Sequence, residues 1–397
     1  MRFSFLVFAL FSVGCLPVSG DLDHPLDRYN YNGNRPWHVA ASGTKVCAAT
    51  GSAETRCWGF VGAPWGAYDL PFSIAQTAGV RSVAVTETIV CGLGEQGQVL
   101  CAGQSLNGVL GHNGTQSEAT PLLSGSFVRM KGSSTKVCAR RQDTEGFGSL
   151  TCWGENSYQV FQGSESSNDR TPFELQPELD GAALDIRQFG VGQHHICVST
   201  LNPNKIVCWG KQNVQADDFP TAPREVLAIP NEHQLEPHEL CVGEQHACVI
   251  LKTGENDRNE IHCWGDNTHG QVKPDNLGGN FQPQVINVPI VPGKIFCADN
   301  HTCAVTSSGE DPVCWGDNRS NQLGGEPDQA GVAKVTVLPN LEWTQIVGGE
   351  DFSCALSSGI NGLYCWGSNS DGQLGNPNST GAPDRATIVD FFHDQAE

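Results

Sequence analysis

The sequence is short of positive charge. It carries 23 lysines and arginines against 43 aspartates and glutamates in 397 residues, a formal net charge of −20. Such a surface repels phosphate backbones and anionic headgroups, which need clustered Lys and Arg, so nucleic acid is excluded as a partner. Long hydrophobic runs are also missing. Beyond the N-terminal stretch none is long and apolar enough to cross a bilayer, and no membrane insertion is expected. Apolar residues at helical spacing are absent over any useful length, which points away from helical folds. There is no Ser-His-Asp order, no phosphate-binding glycine loop and no isolated reactive cysteine. No catalytic residue and no cofactor is therefore assigned.

The N-terminal stretch is different. Arg2 precedes an apolar run from Phe3 to Val13, and Val18-Ser19-Gly20 supplies small residues. This is the pattern of a secretory signal peptide over residues 1–20, and a secreted, extracellular protein is expected. Without those residues the formal charge becomes −21. Of 17 cysteines, Cys15 lies in this segment, which leaves an even number. In an oxidising compartment that suggests a disulfide framework. Four glycosylation sequons fit the same compartment, at Asn113, Asn300, Asn318 and Asn378. Asn300 falls in or beside an inner strand and is the least suited of them. Residues 21–36 form a polar lead-in, and residues 393–397 a polar tail.

Between them the sequence repeats itself. Cys-Trp-Gly recurs at Cys57, Cys152, Cys208, Cys263, Cys314 and Cys365, and Cys101-Ala102-Gly103 fills the remaining slot. Successive steps are 44, 51, 56, 55, 51 and 51 residues, a period of solenoids and propellers. Each copy reads as two short strands around a turn, such as Ser358-Gly359-Ile360-Asn361-Gly362, and a third element often follows a proline. Four short strands in some fifty residues fit a propeller blade. The expected fold is all-β, a seven-bladed β-propeller in one domain over 37–392. Its repeats fall at about 37–79, 80–127, 128–184, 185–237, 238–292, 293–342 and 343–392.

Two cysteines face each other across each hairpin: Cys47–Cys57, Cys91–Cys101, Cys138–Cys152, Cys197–Cys208, Cys248–Cys263, Cys303–Cys314 and Cys354–Cys365. Loop length varies between them, so the flanking pair keeps register while the turn grows. One disulfide per blade is expected, each contributing roughly 2–3 kcal/mol by loop-closure entropy. Cys241 and Cys297 remain. They lie in first strands of neighbouring repeats at offsets that differ by one, so they point to opposite faces. Adjacent blades stack opposite faces together, and an inter-blade bridge Cys241–Cys297 is assigned, mainly by elimination. Zinc is disfavoured because the spacing is not that of Cys-x-x-Cys ligand pairs.

The Trp of each Cys-Trp-Gly alternates with its cysteine and is expected to pack between blades. Ala102 is a smaller filler at its seam. In the first repeat an aromatic stretch, Phe60 to Tyr68, replaces the polar loop seen at Asn369 to Gly375. Asp266, Asp317 and Asp371 lend these loops a calcium-loop look, but the ladder of oxygen ligands is too short.

These residues resemble the regulator of chromosome condensation repeat family, whose members form seven-bladed β-propellers. The resemblance rests on Gly192-Gln193-His194-His195, Gly243-Glu244-Gln245-His246 and the Trp-Gly loops, and covers about residues 37–392. The chain departs from the family in having cysteines on both hairpin strands of every repeat. It also departs in the poorly formed loops of repeats one to four. The founding member is a nuclear exchange factor for a small GTPase that binds chromatin. An acidic chain with a secretory signal does not invite that activity.

His195, His246 and His301 stand two residues before the first hairpin cysteine in repeats four to six; Lys45, Ile89, Lys136 and Phe352 stand there elsewhere. Three such imidazoles are a candidate metal or titrating group. The resemblance implies packing instead, so no metal is assigned. The expected function is a non-catalytic, monomeric binding protein, its face loops holding an extracellular protein or carbohydrate. The alternatives are a hydrolase or lyase at the channel mouth and an acidic, cation-binding matrix or coat component.

Overall fold

The structure is a computed structural model. It describes residues 36–389, apart from 51–53, 63, 75–76, 78, 106–109, 111–113, 142–147, 157–159, 162–171, 201–203, 211–221, 230–234, 253–258, 279, 307, 309–310, 329–330, 336–340, 358–361 and 377–386. The signal segment, nearly all of the lead-in, Asn113, Asn378 and the tail lie outside the described residues.

Seven four-stranded antiparallel sheets follow one another along the chain, each in simple sequence order. Blade 1 runs from Pro36–Ser42 to Gly66–Ile74, blade 2 from Val80–Val85 to Gly114–Leu123 and blade 3 from Phe127–Gly132 to Phe173–Leu175. Blade 4 spans Ile186–Val191 to Arg224–Ala228, and blade 5 spans Glu236–Val242 to Asn280–Ile286. Blade 6 spans Pro292–Cys297 to Val332–Lys334, and blade 7 spans Trp343–Gly348 to Thr387–Ile388. The first strand of every blade touches the first strand of the next, and that of blade 7 touches that of blade 1. First strands therefore surround the axis and the ring is closed, a seven-bladed propeller. Among the described residues there is no helix.

The second strands are buried on both faces, which is why they read as continuous apolar runs such as Cys248-Val249-Ile250-Leu251. Between blades 3 and 4 a small hairpin, Glu178–Leu179 with Ala182–Ala183, turns through Asp180 and Gly181. Both have positive φ, 55° and 80°, the backbone that a two-residue hairpin requires.

Each cysteine pair joins directly opposed residues of the second and third strands, with Cα atoms 4.0–4.1 Å apart. Cys241–Cys297 joins the first strands of blades 5 and 6. Cys241 lies opposite Cys248, whereas Cys297 lies opposite Thr302, one step from Cys303. That offset turns the two side chains toward one seam.

The ring closes without a shared strand, because blade 1 is built wholly from the N-terminal side and blade 7 from the C-terminal side. Gln345 of blade 7 makes the join. Its Nε2 donates to Val39 O at 2.8 Å, and its Oε1 accepts from Val39 N–H at 3.1 Å. The amide thus behaves as one extra rung of sheet between the last blade and the first. Glu350 N–H donates to Gly43 O at 3.0 Å beside it.

Replacing Gln345 with Ala leaves a buried N–H and C=O unmatched and should lower stability by about 1–3 kcal/mol, read as a drop in the calorimetric unfolding midpoint. Arg187→Ala, which removes a largely exposed pair with Glu236, should change it by under about 1 kcal/mol. Equal effects would contradict the assignment of Gln345 as the closing residue.

Candidate functional site

The blade-to-blade seam is the most regular feature of the molecule, and the recurring loop builds it. In blade 6 the loop begins at Asn318, whose Oδ1 accepts from Leu323 N–H at 3.1 Å. The equivalent bonds run from Val272 to Asn267 at 2.8 Å and from Leu374 to Asn369 at 3.0 Å. The Gln side chain then folds back: Oε1 of Gln271, Gln322 and Gln373 each accepts a backbone N–H two residues earlier, at 2.9 Å. This fixes the Gln carbonyl so that it faces the next blade. Gln271 O accepts the indole N–H of Trp315 at 2.9 Å, Gln322 O that of Trp366 at 2.9 Å, and Gln373 O that of Trp58 at 3.0 Å. Trp209 donates to Val160 O at 2.6 Å in the same manner. The last glycine makes room for the indole, since a Cβ on Gly324 or Gly375 would lie 2.7 or 2.8 Å from its nitrogen. The Trp rings are fully buried between blades, so an exposed stacking platform for sugars is ruled out at these positions.

The glycine after each Trp has its own reason. Gly59, Gly103, Gly154, Gly210, Gly265, Gly316 and Gly367 all have positive φ. A Cβ there would meet the carbonyl of the turn between the first two strands at 2.0–2.6 Å. This is why blade 2 keeps Gly103 although it has lost its Trp. Ala102 shares its cluster with Trp65, from the aromatic stretch of blade 1. The two departures from the repeat, one in each blade, meet at one seam.

The three imidazoles belong to these seams. His195, His246 and His301 are fully buried. His246 Nε2 lies 2.9 Å from Thr302 Oγ1, and His301 Nε2 lies 2.8 Å from Ser353 Oγ, each hydroxyl belonging to the next blade. The hydroxyls donate onward to Gln271 O and Gln322 O, at 3.0 and 2.9 Å. Each hydroxyl has one proton, so the imidazole must donate from Nε2. His195 faces blade 5 where the matching residue is Ala247, and no side-chain partner lies within hydrogen-bond distance of its ring nitrogens. Burial holds all three neutral: His195 and His246 are pushed down to about 3 and His301 to about 4. Among the described residues the imidazoles do not converge as a ligand set. They bridge blades, and the candidate metal or titrating site does not form. Lys45 replaces His at its position and donates to Thr86 O and Glu87 O of blade 2, at 2.9 and 3.0 Å. Lys136 reaches Gln193 O of blade 4. Both lysines are lowered by burial, to about 7 and about 8.

The loop carboxylates are engaged locally. Asp266 accepts from Thr268 Oγ1 and Gln271 Nε2, at 2.9 and 3.0 Å, and Asp317 from Arg319 Nε at 2.8 Å. Asn318, one of the sequon asparagines, lies in this loop: its Nδ2 donates to Gly325 O at 3.3 Å while its Oδ1 holds the loop. Asn300 is half-buried in the turn between the first two strands of blade 6.

Acidic charge also gathers at one end of the ring. The turns between first and second strands carry Glu87 in blade 2, Glu244 in blade 5, Asp299 in blade 6 and Glu350 in blade 7. Desolvation, and then mutual repulsion, push Asp299 up to about 7, and Glu244 and Glu87 also lie above the usual range. Glu350 acts on all three, so carboxylates from both sides of the ring sense one another. Sequence reading missed this set because no contiguous motif links the four turns. Just inside, Lys131 of blade 3 crosses to blade 5. It donates to Leu240 O at 2.8 Å and lies 3.7 Å from Glu239 Oε1, so a side chain occupies the bore.

The regulator of chromosome condensation (RCC1) repeat profile matches residues 238–271 and 343–373, blades 5 and 7 from the first strand to the Gln of the loop. Blades 5 and 7 thus match the RCC1 repeat, within a ring of seven blades. The RCC1 fold is also seen in the solved structure of Saccharomyces cerevisiae Prp20p, with a TM-score of 0.66 at 18% identity, covering 84% of this chain and 85% of that one. The ectodomain of the Physcomitrella patens receptor kinase CR4 superposes with a TM-score of 0.51 at 18% identity, over 83% of this chain and 73% of that one. Among curated proteins, human E3 ubiquitin-protein ligase HERC2 is 24% identical over 312 residues, 74% of this chain but 6% of HERC2. The Arabidopsis thaliana ultraviolet-B receptor UVR8 is 27% identical over 202 residues, 48% of this chain and 44% of UVR8. The chain thus spans less than half the length of either relative.

Two outcomes follow from the titrating groups. A histidine whose folded pKa is depressed contributes stability that is fully present above pH 6.5 and lost as pH falls toward the folded value. His301→Phe, which copies Phe352 of blade 7, should flatten the pH dependence of stability between about pH 4 and 6.5 by one proton, roughly 1.4 kcal/mol per pH unit. Denaturant midpoints measured across that window check it, and an unchanged slope would refute it. Asp299 has the opposite sign: its raised pKa means stability falls as pH rises from the normal carboxylate range through about 7. Asp299→Asn should therefore stabilise the protein above pH 7 by about 1–2 kcal/mol and do nothing below pH 4.

Proposed function

We propose that this chain is a secreted, non-catalytic scaffold that binds an extracellular protein through the acidic end of its propeller. The observation that carries this reading is the set of carboxylates on four separate blades, Glu87, Glu244, Asp299 and Glu350, with mutual repulsion and no neutralising counter-charge sufficient to restore Asp299. A lysine- or arginine-rich protein segment laid over that end would relieve the repulsion and gain attraction steeply dependent on ionic strength. A single metal ion fits less well, because among the described residues no three carboxylate oxygens come together. Disulfides in every blade, with the apolar N-terminal run, support an extracellular setting.

Binding of a fluorescent lysine-rich peptide, with an acidic peptide as control, is the direct test. The triple variant Glu87→Gln/Glu244→Gln/Glu350→Gln should bind it at least about tenfold more weakly, and salt should weaken the parent chain's binding. Unchanged affinity in the variant would remove the acidic end from consideration. Secretion is checked separately, by comparing medium and lysate from cells expressing the chain with and without residues 1–20.

A further inference from the structure

The scaffold reading leaves one cluster of sulfur atoms without a role. In blade 5, Cys241, Cys248 and Cys263 form a row across the first three strands: Cys241 faces Cys248, and Cys248 faces Cys263. Residues directly opposed in an antiparallel sheet lie on one face. Cys297 arrives from blade 6 and bonds Cys241. The Sγ atoms of Cys241, Cys248 and Cys297 all lie within 4.8 Å of one another. Two disulfides, one within a blade and one between blades, are therefore in contact. The other six disulfides each join two facing residues of a single blade.

We propose that these two disulfides form an exchange relay, through which a dithiol reductant acting on the Cys241–Cys297 bond moves the bridge to Cys241–Cys248 and uncouples blades 5 and 6.

The order of events follows from exposure and connectivity. Cys241 and Cys297 are 6% and 5% exposed, whereas Cys248 and Cys263 are fully buried, so a reductant meets the inter-blade bond first. Its thiolate attacks Cys297 Sγ, the Cys241–Cys297 bond breaks, and Cys241 leaves as the thiolate. Cys241 shares a sheet with Cys248 and stays beside it, while Cys297 is carried by the other blade. The Cys241 thiolate attacks Cys248 Sγ, the Cys241–Cys248 bond forms, and Cys263 leaves as a thiolate that takes up a proton. The reductant's second thiol resolves the mixed disulfide on Cys297. Overall one dithiol is oxidised to a disulfide, and two electrons and two protons end on Cys263 and Cys297. Blade 5 keeps one internal bridge, shifted by one strand, and loses its covalent tie to blade 6. The seam is then held by packing and hydrogen bonds without sulfur, among them those of Trp315, His246 and Thr302 and the bond from Asn259 Nδ2 to Pro292 O at 2.7 Å.

The full chain, treated with a limiting dithiol, quenched with iodoacetamide and mapped by mass spectrometry without further reduction, tests this. The first doubly labelled species should carry label on Cys263 and Cys297 and yield a Cys241–Cys248 linked peptide. Label on Cys241 and Cys297 with Cys248–Cys263 intact would overturn the relay, as would first opening in another blade. Cys297→Ser supplies a second test without reductant: label should appear on Cys263, and Cys241→Ser in the same chain should abolish it. Label on Cys241 alone in Cys297→Ser would count against the exchange step.

Discussion

At three consecutive seams, from blade 5 round to blade 1, one backbone carbonyl turned outward by a glutamine that folds back on its own loop ties each blade to the next. It receives the indole N–H of the next blade's tryptophan, and in two seams a hydroxyl as well, which in turn receives a buried imidazole. Buried in an apolar seam, each donor and acceptor would be costly if unpaired, so the network works as a unit. Asn, Gln, Leu and the final Gly of the loop have distinct parts in presenting that carbonyl. The loop belongs to one blade, but its purpose lies in the next.

The covalent and non-covalent frameworks divide the work. Seven disulfides pin hairpins inside blades, where opposed strands already pair. They restrict the unfolded chain more than they join blades. Six of the seven seams rely on packing and hydrogen bonds alone, and the ring closes through the Gln345 amide. Only the seam between blades 5 and 6 is bridged by sulfur, and it is also where a second disulfide lies close enough to compete.

Charge is distributed with similar economy. Acidic residues outnumber basic ones, 43 to 23, yet some are held by local donors, as Asp266 and Asp317 are. Asp299, Glu244 and Glu87, raised by burial and by neighbouring carboxylates, sit with Glu350 on four turns at one end of the ring. Buried lysines at His-equivalent positions bind carbonyls across seams, and Lys45 only partly offsets the charge of Glu87 at that end. The acidic end thus arises from turns that are far apart along the sequence, at residues 87, 244, 299 and 350.

Seven copies of a hairpin signature, with cysteines at facing positions, specified the blades, because strand alternation and hairpin register are local properties. The same alternation put Trp on the seam and directed Cys241 and Cys297 toward one another. The tertiary structure alone decided what the repeats share across blades. That Ala102 is answered by Trp65, that His246 finds Thr302 while His195 meets Ala247, and that Asn318 is committed to its loop all depend on neighbours brought together by ring closure. The acidic end is likewise a product of closure: Glu87 and Glu350 are distant in the chain, and only the circle makes them repel.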